Sequence, residues 1–414
     1  MINGTRIAIV FDDMVEFFSI KNGIDALVKE GIPVDLIVPL AYSERQALLD
    51  ETFSEIRKHG YSPIREIDES IQYKILLEPN PSSHYFSPAK INHEYRIKYK
   101  YSLMTAKPAP IYSINRNMVY DAILCYTKRE AEILSVHTKT FLVSPMRYKG
   151  FVKNLDRPEG KPILLYSPTF GKNSSISTVE TALRILKNKY YIIVKAHHLT
   201  QYRDNEKDRI SILKNNSDEY YDQTTDLVEL LKRADVVLSD NSGSIFEAIY
   251  AEVPVAVYHP VTLNDRKFDK LDTYQHQLAK RGILPFTHTI DEIEAILKEA
   301  MKNQERQRAE KVDFLETDDL TSPFVNVIKD FLCQNRDGSE FYALHDIVRD
   351  TFNEQTERIA SLEEEVSKLN EKTERIEYLE GLAGELSDLK NSKSYKLGRA
   401  LTSPYRTIKG KAAR

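Results

Sequence analysis

Short apolar runs rich in β-branched residues alternate with helix-length stretches along most of this 414-residue chain, and they do so in two separate series. The first opens with TRIAIVF at 5–11 and PVDLIVP at 33–39, with a helical stretch from Met14 to Glu30 between them. It continues through a helix at 42–59 and strands QYKILL at 72–77, DAILCY at 121–126 and KTFLV at 139–143, the last two separated by a helix at 127–135. Such alternation predicts parallel strands, because a parallel pair needs a crossover and cannot be joined by a tight turn. The interval from Pro79 to Pro110 is rich in Pro, Ser, Tyr and Lys and reads as long loops.

A second series begins after the polar linker KNLDRPEGKP at 153–162. ILLYSP, YYIIVKAHH, ADVVLSD and VPVAVYH read as its strands, with helices at 177–188, 226–233 and 243–251 between them. Helices at 290–303 and 323–334 are expected to close it. The fold class is therefore α/β, as two Rossmann-like lobes over residues 1–150 and 151–335. Open sheets of this kind take ligands at the carboxyl ends of their strands, so the site is expected in the cleft between the lobes.

The C-terminal region differs in kind. Ile359, Leu362, Val366, Leu369, Thr373 and Ile376 follow a 3-4 alternation that slips at Leu379 and resumes at Leu382, Leu386 and Leu389. Over 353–390 this predicts a heptad coiled coil with a stammer, and hence a homodimer, the alternative being a lone solvated helix. No acidic residue follows Asp388, and the segment from Lys390 to Arg414 carries eight Lys and Arg. Residues 391–414 read as a basic, weakly amphipathic tail suited to an anionic inner membrane surface, or as a plain disordered end.

Composition narrows the function classes. A net charge of −4 argues against binding nucleic acid by bulk electrostatics. Cys125 and Cys333, the two cysteines, form neither a disulfide framework nor a metal site. The chain opens on a strand-like segment without a secretory pattern, and no apolar run approaches the length of a membrane span. The expectation is a cytoplasmic protein, peripheral on the cytoplasmic face of the membrane.

The most informative stretch is ADVVLSDNSGSIFEAIYAEVPVAVYHP, residues 234–260. A buried strand ends at Ser239 and Asp240, and the small-residue turn Asn241–Ser242–Gly243–Ser244 opens a helix. Backbone N–H groups at such a start favour a diphosphate, and Glu247 one turn on is placed to take ribose hydroxyls. The same residues also suit an ordinary capped helix, with Ser242 or Ser244 as the cap. Two further turns shift that balance. Ser167 and Thr169 follow the lobe's first strand, and Lys195–Ala196–His197–His198 follows the next, where a cation and an imidazole can neutralise charge on a departing phosphate.

YSPTF, KAHH and the 226–260 block together resemble the C-terminal lobe of the CDP-glycerol glycerophosphotransferases, enzymes of the GT-B architecture that build teichoic-acid and capsular polymers. LVSPMRYKGF at 142–151 is similar to that family's inter-lobe junction, with Arg147 matching its Arg. The resemblance implies that Lys195 and His197 serve the diphosphate and that Ser239 to Ser244 form the phosphate turn. His198 stands where the family has Pro, and Asn-Ser-Gly-Ser with Glu247 leans toward nucleotide-sugar transferases and UDP-N-acetylglucosamine 2-epimerases. The family's His-Gly motif, its acceptor-activating base, is not found at KYKYSLMTAKPAP (98–110), where it would be expected.

Two places offer candidates for that base. Asp12 and Asp13 follow the first strand, although Asp13-x-x-Glu16 also reads as a helix capping box. His93 lies in the expected long loop, in NHEYRIKYKY. The expected activity is transfer from a nucleotide-activated donor, CDP-glycerol or a UDP-sugar, to a lipid-linked glycan or polyol-phosphate acceptor. No cofactor and no catalytic metal are expected. The rival from another class is a non-catalytic scaffold working through its coiled coil.

Overall fold

The computed structural model describes residues 6–40, 46–79, 91–103, 117–136, 138–154, 156–171, 174–202, 207–260, 273–392 and 396. It divides into two units, residues 1–345 and 346–414. In the first, the chain order is β1 (Ile7–Val10), α1 (Met14–Lys29), β2 (Val34–Ile37), α2 (Gln46–Lys58), β3 (Tyr73–Glu78), β4 (His93–Lys98), β5 (Ala122–Cys125), α3 (Lys128–Leu134) and β6 (Lys139–Leu142). The second series gives β7 (Ile163–Ser167), α4 (Ile176–Leu186), β8 (Tyr191–Lys195), α5 (Lys207–Asn215), β9 (Glu219–Tyr221), α6 (Leu227–Arg233), β10 (Val236–Ser239), α7 (Ser244–Tyr250), β11 (Val255–Tyr258), α8 (Tyr274–Lys280), β12 (Phe286–Thr287), α9 (Ile293–Lys302) and α10 (Gln304–Ala309). Helices α11 (Ser322–Cys333) and α12 (Glu340–Asn391) follow.

Every described strand pair in both sheets is parallel. The first sheet is ordered β2-β1-β3-β4-β5-β6 and the second β12-β11-β10-β7-β8-β9. Strand order reverses between β1 and β3 in the first and between β7 and β10 in the second. At such a switch point the crossovers leave on opposite faces, which opens a crevice at the strands' carboxyl ends. Both switch points therefore place backbone and side chains at such a crevice.

Two expectations are corrected. The interval Pro79–Pro110 is not all loop: β4 is a central strand, hydrogen-bonded between β3 and β5. Arg96 and Lys98 on it, and Lys100 just beyond it, are buried because each has a partner. Arg96 Nε lies 2.6 Å from Glu78 Oε1, Lys98 Nζ donates to Asn117 Oδ1 at 3.1 Å, and Lys100 Nζ lies 3.2 Å from Glu130 Oε1. The rest of that interval, 80–90 and 104–110, lies outside the described residues.

The second correction concerns α11, which closes the first lobe and not the second. Its buried face carries Phe324, Ile328 and Phe331. The Phe331 ring sits 5.0 Å from that of Tyr95 on β4 and 5.6 Å from that of Phe141 on β6. Gly23 of α1 makes this fit possible, since a Cβ there would stand 2.8 Å from the Phe324 ring and 2.5 Å from Met146 Sδ. The chain thus leaves lobe one near Ser144 and returns near Leu315, and the crossings touch where Ser144 Oγ donates to the Leu315 carbonyl at 3.3 Å.

The second unit is built on α12, a helix of 52 residues counted from its start in the first. Leu362, Val366, Leu369, Ile376, Leu379, Leu382, Leu386 and Leu389 are all exposed along it. The side chains of Ile359 and Thr373 fall outside the described residues, as does the basic tail beyond 392 apart from Lys396. Among the described residues no helix is long and apolar enough to cross a membrane.

Candidate active site

At the switch point of the second sheet, Asp240 is fully buried and holds the β7–α4 loop in place. One of its carboxylate oxygens accepts the Thr169 N–H at 2.7 Å, and the other accepts the Ser175 N–H at 2.9 Å and the Ser175 hydroxyl at 3.0 Å. Ser239 Oγ donates to the Ser167 carbonyl at 2.9 Å and lies 2.8 Å from Ser244 Oγ, which itself donates to that carbonyl at 3.2 Å. Ser167, Thr169, Ser239, Asp240 and Ser244 therefore knit two strand-end turns into one rigid rim. Ser242 and Gly243 are half-buried on that rim. Gly243 has φ −61°, a value open to any residue, so what it contributes is the absence of a side chain.

Lys195 ends the neighbouring β8 and is almost fully buried, with Nζ donating to the Ala196 carbonyl at 3.2 Å. Burial, and then the positive charge of Arg147, push its pKa down to about 8. His197 follows, its ring 4.3 Å from Phe170 and 4.0 Å from His198. His197 Nδ1 accepts the Leu199 N–H at 3.2 Å. That bond requires a bare Nδ1, so the neutral ring carries its proton on Nε2 and presents a donor there.

Arg147 stands in a short 3-10 turn, Met146–Tyr148, as the chain leaves lobe one. Its Nε donates to Asp226 Oδ1 at 2.8 Å, and its Nη1 lies 3.7 Å from Glu247 Oε1. Burial opposes its charge, but Asp226 and Glu247 more than offset this and hold it protonated. Glu247 is buried too, with Oε2 accepting the Tyr148 hydroxyl at 2.6 Å. Desolvation pushes its pKa up, against the pull of Arg147. Arg147 and Glu247 are thus engaged with each other and with Asp226 and Tyr148 at the lobe junction. The Tyr148 hydroxyl thus occupies Oε2 of the carboxylate expected to take ribose hydroxyls.

The two base candidates part company. Asp13 caps α1, its Oδ1 accepting the Glu16 N–H at 3.0 Å, while Glu16 Oε2 accepts the Asp12 N–H at 2.6 Å. The capping box is therefore present, one residue out of the usual register on the return bond. Asp13 also faces the other lobe, with Oδ2 lying 3.3 Å from His198 Nε2. Glu16 behind it is pushed toward the neutral acid, first by burial and then by the charges of Asp13 and Asp12. His93, by contrast, opens β4 at the amino edge of the sheet, the edge away from the cleft. Its Nδ1 lies 2.6 Å from the Ile91 carbonyl and burial lowers its pKa, and the fold does not bring it to the strand ends that carry Asp13 and His198.

Sequence reasoning also missed a second bridge between the lobes. Glu51 of α2 accepts hydrogen bonds from Gln201 Nε2 at 3.1 Å, from the Tyr202 hydroxyl and from Gln223 Nε2. Nothing local in the sequence marks these residues, since their meeting depends on how the lobes close.

Two lobes with parallel sheets, facing each other across paired switch points, define a GT-B-like fold. Residues 143–323 match the family described as CDP-Glycerol:Poly(glycerophosphate) glycerophosphotransferase, so the similarity to that family read from the motifs is shown, over the second lobe and its junction. The fold is shared with the S. aureus MnaA–UDP complex, at 14% identity and a TM-score of 0.54, over 79% of this chain and 97% of that one. It is also shared with a variant of the wall teichoic acid polymerase TagF soaked with CDPG, at 14% identity and a TM-score of 0.53, over 86% of this chain and 90% of that one. No curated protein matches the chain.

Proposed function

We propose that this protein transfers glycerophosphate from CDP-glycerol to a lipid-linked glycan or polyol-phosphate acceptor, in the synthesis of a teichoic-acid-type or capsular polymer. The observation that carries this reading is the convergence of Lys195, His197 and the Ser167–Ser244 rim on one sheet edge, inside the segment that matches the glycerophosphotransferase family. The rim supplies backbone N–H groups and hydroxyls for the donor's phosphates. Lys195 and the Nε2 proton of His197 stabilise the charge that grows on the departing nucleotide. No metal has a part in this scheme.

The exposed stripe of α12 supports assembly of two copies through a coiled coil. The basic composition of 391–414 supports contact with an anionic inner membrane surface, where the acceptor lipid would be met.

A thermal-shift panel with CDP, UDP, GDP, CDP-glycerol and UDP-N-acetylglucosamine tests the donor. A ligand at 100 times its Kd adds about 2.7 kcal/mol of stability. Stabilisation by CDP and CDP-glycerol, weakened in Lys195→Met, is expected. Stabilisation by UDP species alone would transfer the assignment to a nucleotide-sugar transferase, the reading that the Asn241–Ser244 turn favours. No response to any nucleotide would leave the scaffold reading.

A further inference from the structure

We propose that Asp13 and His198, one from each lobe, form a cross-cleft dyad that takes the proton of the acceptor hydroxyl. This rests on the transferase reading above, in which some group must take that proton. Asp13 follows β1 at the switch point of the first sheet, and His198 follows β8 beside the switch point of the second. The two side chains are 8% and 13% exposed, and Asp13 Oδ2 lies 3.3 Å from His198 Nε2.

Asp13 is held rigidly for this task. Its other oxygen is fixed by the Glu16 N–H at 3.0 Å, so Oδ2 is the oxygen left to orient a partner across the cleft. A carboxylate at Nε2 places the imidazole proton there and makes Nδ1 the proton-accepting atom. The His198 ring lies beside that of His197, centroids 4.0 Å apart and planes tilted by 34°, which puts the two chemical roles side by side. His197 serves the departing nucleotide, and His198 serves the incoming hydroxyl.

The acceptor oxygen attacks the phosphorus that bears glycerol, and its proton passes to His198 Nδ1. The bond from that phosphorus to the bridging oxygen breaks, and CMP leaves with the bonding pair, its new charge facing Lys195 and His197. Asp13 stabilises the imidazolium until its proton passes to solvent. His198 is then the catalytic base and Asp13 a positioning residue. Because the partners come from opposite lobes, the base is assembled only when the lobes are closed, and hydroxyls meeting an open enzyme are not activated.

The test measures transfer from CDP-[14C]glycerol to a glycerophosphate-primed lipid, with donor Kd by calorimetry, on the full-length protein. His198→Gln can place an amide N–H near the Nε2 position and keep the contact to Asp13, but it cannot accept a proton. It should lower kcat about 100-fold or more with donor Kd unchanged, as loss of a general base does. Asp13→Asn keeps the helix cap and should lower kcat by at least about tenfold, again without a change in Kd or melting temperature. Added imidazole should restore part of the activity of His198→Ala. Full activity in His198→Gln would reduce the pair to a lobe contact and overturn the dyad alone. If the wild type transfers nothing from CDP-glycerol or UDP-N-acetylglucosamine, the transferase reading falls and the dyad falls with it.

Discussion

At the residue scale, the cleft works by burying charge where strand ends leave little room for water. Lys195 shows the consequence most directly. With its pKa pushed down to about 8, it is charged below that pH and neutral above it, so the free enzyme should bind an anionic donor best at the lower pH. Calorimetric Kd values between about pH 6.5 and 9.5 should weaken as pH rises through the Lys195 value. Lys195→Arg should flatten that dependence and Lys195→Met should weaken binding throughout. His197→Ala, which removes the Nε2 donor, should lower kcat about 100-fold, checked in the same transfer assay. Much of this was legible from spacing: KAHH follows a strand, and the Ser/Gly turn follows another. Two features were not. His198 reads as a mere departure from a family pattern until Asp13 is found opposite, and nothing near Glu247 in the sequence announces Tyr148 and Arg147 as its partners.

At the element scale, the strands with apolar runs were readable because burial on both faces demands them. β4 escaped because Arg96 and Lys98 look like surface residues, and only their distant partners Glu78 and Asn117 make them buriable. α11 was seen as a helix but assigned to the wrong lobe, since an amphipathic stripe states that it must be covered and not by what. Its fit against Gly23 makes a sharp test. Gly23→Ala should cost about 1–3 kcal/mol in denaturant unfolding, because the added Cβ meets Met146 and Phe324 at once. On α12, Leu382→Lys with Leu386→Lys places charge in the exposed apolar stripe and should convert a dimer to a monomer by light scattering.

At the scale of the whole molecule, lobe closure is written into a small number of polar contacts. Glu51 gathers three donors from the second lobe, and Asp13 meets His198. Glu51→Ala should raise hydrogen exchange around residues 199–202 and 223 without unfolding either sheet, and donor should reverse part of that gain. The order of the strands follows from the alternation of elements, but the pairing of lobes does not, since it is fixed by contacts that the sequence scatters over 150 positions.

The chain passes between the lobes twice, and Ser144 touches Leu315 where it does so. Two adjacent tethers restrain sliding and separation while leaving rotation about the line through them. The cleft should therefore open as a door does on paired pins, with the widest travel at the points farthest from that line. The width available to an acceptor is then a matter of angle, and lengthening either tether should loosen the whole enzyme more than it loosens any contact in the cleft.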